Sequence, residues 1–128
     1  RMQTEVIQRN GIEIASIRSD QVLITDVQSA LDLMMSVQYE TGIRNLAIPK
    51  DCITEQFFIL SSGLAGSILQ KFVNYRFRVA IYGDYSKYTS KPLRDFIYES
   101  NYGRDVFFTS DLERAIAKLS DGSDASDR

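Results

Sequence analysis

The residues best placed to do chemistry lie in one stretch, Gly83-Asp84-Tyr85-Ser86-Lys87-Tyr88-Thr89-Ser90-Lys91. Asp84, Ser86, Lys87, Thr89, Ser90 and Lys91 put hydroxyls and two ammonium groups just after an apolar run and just before a predicted helix. Backbone N–H groups and cations gathered there suit a phosphate or a carboxylate. The loop is also long for a strand-to-helix connection, where about two to six residues are usual. Two weaker constellations accompany it. Asp26, Asp51, Asp84 and Asp111 each follow a short apolar run and could meet at one sheet edge as oxygen ligands for Mg2+. Asp26 and Asp111, however, stand in predicted first helical turns, where acidic residues are common for dipole reasons alone. Cys52 follows Lys50-Asp51 near a predicted helix start, which lowers a thiol pKa in some proteins. An ordinary half-buried thiol is the reading preferred for it, and no metal site is expected.

Absences narrow the chemistry further. The 128 residues include no histidine and one cysteine. Serine–histidine and cysteine–histidine mechanisms, histidine metal sites, zinc knuckles and iron–sulfur sites are therefore excluded, as is an internal disulfide. Neither GxxxxGK[ST] nor GxGxxG occurs. No catalytic residue, metal ligand or cofactor is assigned, and the balance is against an enzyme. A net charge of −2 argues against a nucleic-acid partner. No apolar run approaches the length of a membrane span and no signal-peptide pattern is present, so a cytoplasm is the expected setting and a membrane is not an expected partner.

Charge and aromatics are unevenly spread. Between Lys71 and Arg104 seven basic residues face three acidic ones, and six of the seven tyrosines fall in the same stretch. Tyrosine beside arginine is what a protein interface uses. It also suits a small anionic ligand, and the plainest reading is a solvated edge with long side chains lying along it.

The elements that position these residues follow from pattern. Asn10-Gly11 between Glu5–Arg9 and Ile12–Arg18 predicts a hairpin, because a type I′ turn needs positive φ at both positions. Thr25-Asp26-Val27-Gln28 predicts a capping box opening a helix that ends at Gly42. Leu46–Ile48 predicts a buried strand closed by Pro49. Phe57, Leu60, Leu64, Ile68 and Phe72 recur at helical spacing, which predicts one long helix from Glu55 to about Tyr75 behind an N-cap at Thr54. Ser62, Gly63, Gly66 and Ser67 make a row of small residues beside that stripe. Phe77–Tyr82 predicts the next strand, Ser90 with Pro92 a helix start, Val106–Phe108 the last strand, and Ser110–Glu113 a second capping box. Residues from Ser120 onward predict a disordered tail.

The order is β-β-α-β-α-β-α-β-α, which implies a mixed α/β sheet with an N-terminal hairpin, later parallel strands and helices packed on it. A small flavodoxin-like sheet with helices on both faces is the alternative. The order, together with Ser61-Ser62-Gly63-Leu64 leading into an apolar strand, resembles the STAS domain of anti-sigma-factor antagonists. Leu23–Met34, Tyr39–Gly42, Gly63–Arg76 and Gly83–Phe108 more closely resemble a bacterial family of STAS-like domains, domain of unknown function 4180. That resemblance runs to Leu119 and implies one STAS-like domain over residues 1–119, with no established activity. In STAS domains a phosphorylated serine sits at the helix N-terminus, usually after an aspartate. Here Leu60 stands in that place, and a helix beginning at Glu55 would put Ser61 and Ser62 in its interior. Close packing of the small residues against a neighbour is therefore preferred to a phospho-switch at Ser61 or Ser62. The function expected is a non-catalytic regulatory or protein-interaction module that self-associates, with Gly63, Gly66, Tyr75 and Arg76 as interface candidates. The alternative is a binder of, or enzyme on, a small anionic ligand at Asp84–Lys91.

Overall fold

Asn10 and Gly11 both adopt positive φ, 56° and 77°. They close the hairpin of β1 (Gln3–Arg9) and β2 (Ile12–Arg18), which pair antiparallel from Gln3↔Arg18 to Arg9↔Ile12. The structure is a computed structural model and describes residues 2–121. The chain continues through α1 (Val27–Thr41), β3 (Asn45–Pro49), α2 (Leu64–Asn74), β4 (Arg78–Tyr82), α3 (Lys91–Ser100), β5 (Val106–Thr109) and α4 (Leu112–Leu119). The five strands lie side by side in chain order, and every pairing after the hairpin is parallel.

That order decides where the helices go. Each of α1, α2 and α3 connects a strand to the next one over, always in the same direction. Right-handed crossovers then place all three on the same face. Their buried residues (Met34 and Val37, Ile68 and Phe72, Leu93) share one apolar cluster with Ala15, Leu46, Ile48, Val79, Ile81 and Phe108 of the sheet. Among the described residues the other face carries α4, through Ala115, Ile116 and Leu119 against Ile14, Ala47, Ala80 and Phe107. The strand order never reverses, so the sheet has no doubly wound switch point, and the flavodoxin-like alternative is set aside.

Several local expectations are corrected. The long helix from Glu55 does not form. Short 3-10 turns occupy Lys50–Cys52, Glu55–Phe58 and Leu60–Ser62, and the α-helix begins at Leu64. Phe57 and Phe58 are both buried, Phe57 edge-on to Phe58 and Phe58 stacked on Tyr88 at 5.2 Å. Ile59 then takes an extended conformation, and Gly63 in the left-handed region (φ 77°) turns the chain into α2. At α1 the N-cap is Asp26, not Thr25, and the reciprocal partner is Ser29, not Gln28. Gln28 reaches forward to Asp32 instead. At α4 the N-cap is Asp111, while Glu113 takes the guanidinium of Arg9 at 2.7 Å. Of the tail expected from residue 120, Ser120 closes α4 and is buried; residues 122–128 lie outside the described ones.

Candidate functional site

Parallel strands end together, so β3 and β4 deliver the turn at Lys50 and the loop after Tyr82 to the same edge. Lys50 is buried there. Its Nζ lies 3.3 Å from Glu55 Oε2, 5.3 Å from the centre of the Phe58 ring and 5.0 Å from that of Tyr88. A desolvated ammonium needs a carboxylate and polarisable faces around it, and this arrangement supplies both. The same Glu55 oxygen lies 3.3 Å from Lys87 Nζ, and Tyr88 donates its hydroxyl to Glu55 Oε1 at 2.9 Å. Gly83 is held against the lysine stem, since a Cβ built there would sit 2.8 Å from Lys50 Cβ.

The electrostatics follow from that closed network. Burial raises the Glu55 pKa, but hydrogen bonds from Tyr88, Lys50 and Lys87 outweigh it and hold the carboxyl below its usual value. Burial and then the Glu55 carboxylate push the Tyr88 phenol well up, and burial does the same for Tyr85. Tyr85 donates its hydroxyl to the Ile81 carbonyl at 2.6 Å. Neither phenol is therefore set up to give up a proton near neutrality.

The loop candidates are divided, not gathered. Asp84 and Lys87 line a cleft of about 390 Å³ with Pro49, Lys50, Asp51 and Gly83. Ser86 and Thr89 line a second one, about 530 Å³, with Tyr85, Tyr88, Arg94 and Tyr98. Asp84 accepts from the Ser86 backbone N–H at 2.9 Å, which lowers its pKa. Ser90 caps α3, accepting from the Leu93 N–H. Lys91 pairs with Asp95 at 2.6 Å and Lys87 with Glu55. Both lysines expected to hold an anion thus already have carboxylates.

The four aspartates do not form a cation site. No group of three or more histidine, cysteine, aspartate or glutamate residues that could hold a metal exists among the described residues. Asp26 caps α1 through Ser29, and Asp111 caps α4 while pairing with Arg114 at 2.8 Å. Cys52 is buried, its thiol donates toward the Ser19 carbonyl at 3.6 Å, and desolvation raises its pKa. This is the opposite of an activated nucleophile.

Ser61 and Ser62, expected inside a helix, are instead exposed in the turn ahead of α2. Ser62 Oγ accepts from the Leu64 N–H at 3.2 Å and donates to the Gln56 carbonyl at 3.0 Å. Gly63 and Gly66 are exposed, with open space where a Cβ would be, so they do not space α2 against a neighbour within the chain. Tyr75 caps α2 at its far end, and Arg76 follows at φ 63°. Sequence reading missed Lys50, Glu55, Phe58 and Tyr88 as a unit. They come from three segments without periodicity, and only a lysine placed directly after a strand-closing proline hinted at it.

A five-stranded α/β sheet with three crossover helices on one face and one helix on the other defines the class: a small α/β domain whose polar groups at the carboxyl edge largely satisfy one another. The chain belongs to the family described as Domain of unknown function (DUF4180), whose model matches residues 9–119. No curated protein and no solved structure matches it. Among the described residues no helix is long and apolar enough to cross a membrane.

Proposed function

We propose that this chain is a non-catalytic regulatory module of STAS-like type that acts by binding another protein chain through the start of α2. The observation that carries this reading is the helix boundary. With α2 starting at Leu64, Ser61 and Ser62 stand exposed just before its first turn. Ile59, about half exposed, sits beside them with Gly63, Gly66 and Ser67. A phosphate on either serine would meet the positive end of the helix dipole, and it would change the charge of this surface by nearly two units. The mutual pairing of Lys50, Glu55, Lys87 and Tyr88 supports the non-catalytic part, since none of these groups is left free to act on a substrate. The test is intact-mass and peptide mass spectrometry of the protein purified from its native host. A phosphorylated fraction mapping to Ser61 or Ser62, lost in the S61A/S62A variant, is expected. A chain unmodified at both serines under all growth conditions overturns the switch.

A second reading, a small anionic ligand at the Asp84–Lys91 loop, has one observation in its favour. Arg94 lines the cleft of about 530 Å³ beside Ser86 and Thr89, and it has no ion pair among the described residues. A thermal-shift series with inorganic phosphate and phosphorylated metabolites tests it. A rise in melting temperature that Arg94→Ala removes supports the site, and no shift across the series rejects it.

A further inference from the structure

The two edges of the sheet are finished differently. At the β5 edge the side chain of Asn101 lies along the strand. Its Nδ2 donates to the Phe108 carbonyl at 3.0 Å, and its Oδ1 accepts from the Phe108 N–H at 2.7 Å. One amide thus takes the place of a neighbouring strand's backbone on a strand of only four residues. Among the described residues the β1 edge has nothing of the kind. It is seven residues long, outermost in the sheet, and in unbroken register with β2. It contains no proline, no lysine and no bulge, three of the means by which an edge strand is kept from pairing, and its two charges, Glu5 and Arg9, are of opposite sign.

Which groups face outward follows from the turn. A two-residue type I′ turn closes on a hydrogen-bonded pair, here Arg9↔Ile12, and such pairs alternate along an antiparallel ladder. Gln3, Glu5, Ile7 and Arg9 therefore direct their backbone groups to β2. Thr4, Val6 and Gln8 direct theirs outward, where they meet no other backbone partner among the described residues. Val6 is also half exposed.

We propose that β1 pairs antiparallel with β1 of a second copy of this chain, about a two-fold axis at Ile7, so that one sheet runs through both copies. In that register Val6 stands opposite the partner's Gln8 and each such pair exchanges both N–H···O bonds. Glu5 stands opposite the partner's Arg9, whose five-donor guanidinium is partly exposed and can serve it as well as the Glu113 carboxylate of its own chain, and symmetry supplies the same contact again. Ile7 meets the partner's Ile7. The charge pattern selects both register and occupant. Sliding by one residue sets outward groups against inward ones. Sliding by two sets Glu5 against the partner's Ile7 in one direction and Ile7 against the partner's Arg9 in the other, and neither register pairs opposite charges. The strand is thus complementary to its own reverse. This surface lies away from α2 and does not depend on the reading of Ser61 and Ser62.

The test uses the full chain in sedimentation equilibrium. The wild type is expected at twice the chain mass of 14.6 kDa. Val6→Pro removes an outward N–H and no bond to β2, so it is expected to be monomeric with an unchanged circular dichroism spectrum. Val6→Lys, a side-chain change at an exposed position, is expected to be monomeric too and serves if the proline variant does not fold. Glu5→Arg should weaken the dimer several-fold; Arg9 is left unchanged because its guanidinium also holds Glu113 within the chain. Ile7→Cys is expected to form a disulfide-linked dimer on mild oxidation, because non-hydrogen-bonded pairs bring Cα atoms to about 4.5 Å. Gln8→Cys is not expected to. A wild type that stays monomeric at its highest soluble concentration overturns the proposal, as does a dimer that survives both Val6 variants. Phosphate mapping at Ser61 reads neither result, so failure here and failure of the α2 reading are separable.

Discussion

At the scale of single residues, Lys50 sets the terms. A buried ammonium is costly unless a carboxylate answers it, and among the described residues Glu55 is the carboxylate hydrogen-bonded to it. Glu55→Ala should therefore cost about 2 kcal/mol in urea denaturation at neutral pH, from the ammonium it strands. Lys50→Met should cost less, because the exposed Glu55 keeps Lys87, Tyr88 and water. The pH dependence has a definite sign. Hydrogen bonding holds the folded Glu55 pKa below its ordinary value of 4.5, so its contribution is complete above that value and is lost as pH falls through the folded pKa. The gap in stability between wild type and Glu55→Ala should accordingly narrow below about pH 4.5. A gap that stays constant from neutrality to acid would mean that the carboxylate does not stabilise the folded chain through its charge.

At the scale of elements, the informative contrast is between stretches that local signals define and stretches that packing redefines. Asn10-Gly11 predicts its hairpin because the positive φ of a type I′ turn is a property of those two residues alone. Residues 55–62 go the other way. Their apolar spacing fits a helix, but Ile59 is extended between two 3-10 turns, Phe58 packs on Tyr88 from the far loop, and Gly63 supplies the left-handed residue that restarts the chain as α2. Ser61 and Ser62 change from interior to exposed positions as a consequence. The pairing of Asn101 with Phe108 is another product of packing, invisible in pattern because it joins the end of α3 to β5. Asn101→Leu should leave the Phe108 N–H and carbonyl without partners and lower stability by about 1–3 kcal/mol. Hydrogen exchange at Phe108 should rise with it. Slow exchange there in the variant would show that the amide does not seal the edge.

At the scale of the whole molecule, three helices on one face and a single eight-residue helix on the other give two apolar clusters of unequal size. Cys52 lies in the larger one, where its backbone carbonyl also receives the N–H groups of Leu23 and Ile24. Its thiol should thus report on opening of the whole cluster. Reaction with a thiol reagent is expected to be far slower in the native chain than in urea, and to track global unfolding as denaturant is added. Fast native reaction would place the cysteine on a segment that opens by itself. What the sequence alone determined was the set of elements, the hairpin, the absence of histidine chemistry and the membership of strand and helix in a mixed sheet, because turn chemistry and hydrophobic period are local properties. The tertiary structure decided where α2 begins and that α4 covers the other face. It also brought Lys50, Glu55 and Tyr88 into one network and left β1, but not β5, with an open edge. Each of these depends on which distant segments come into contact, and a buried charge or an unpaired edge exists only once they have.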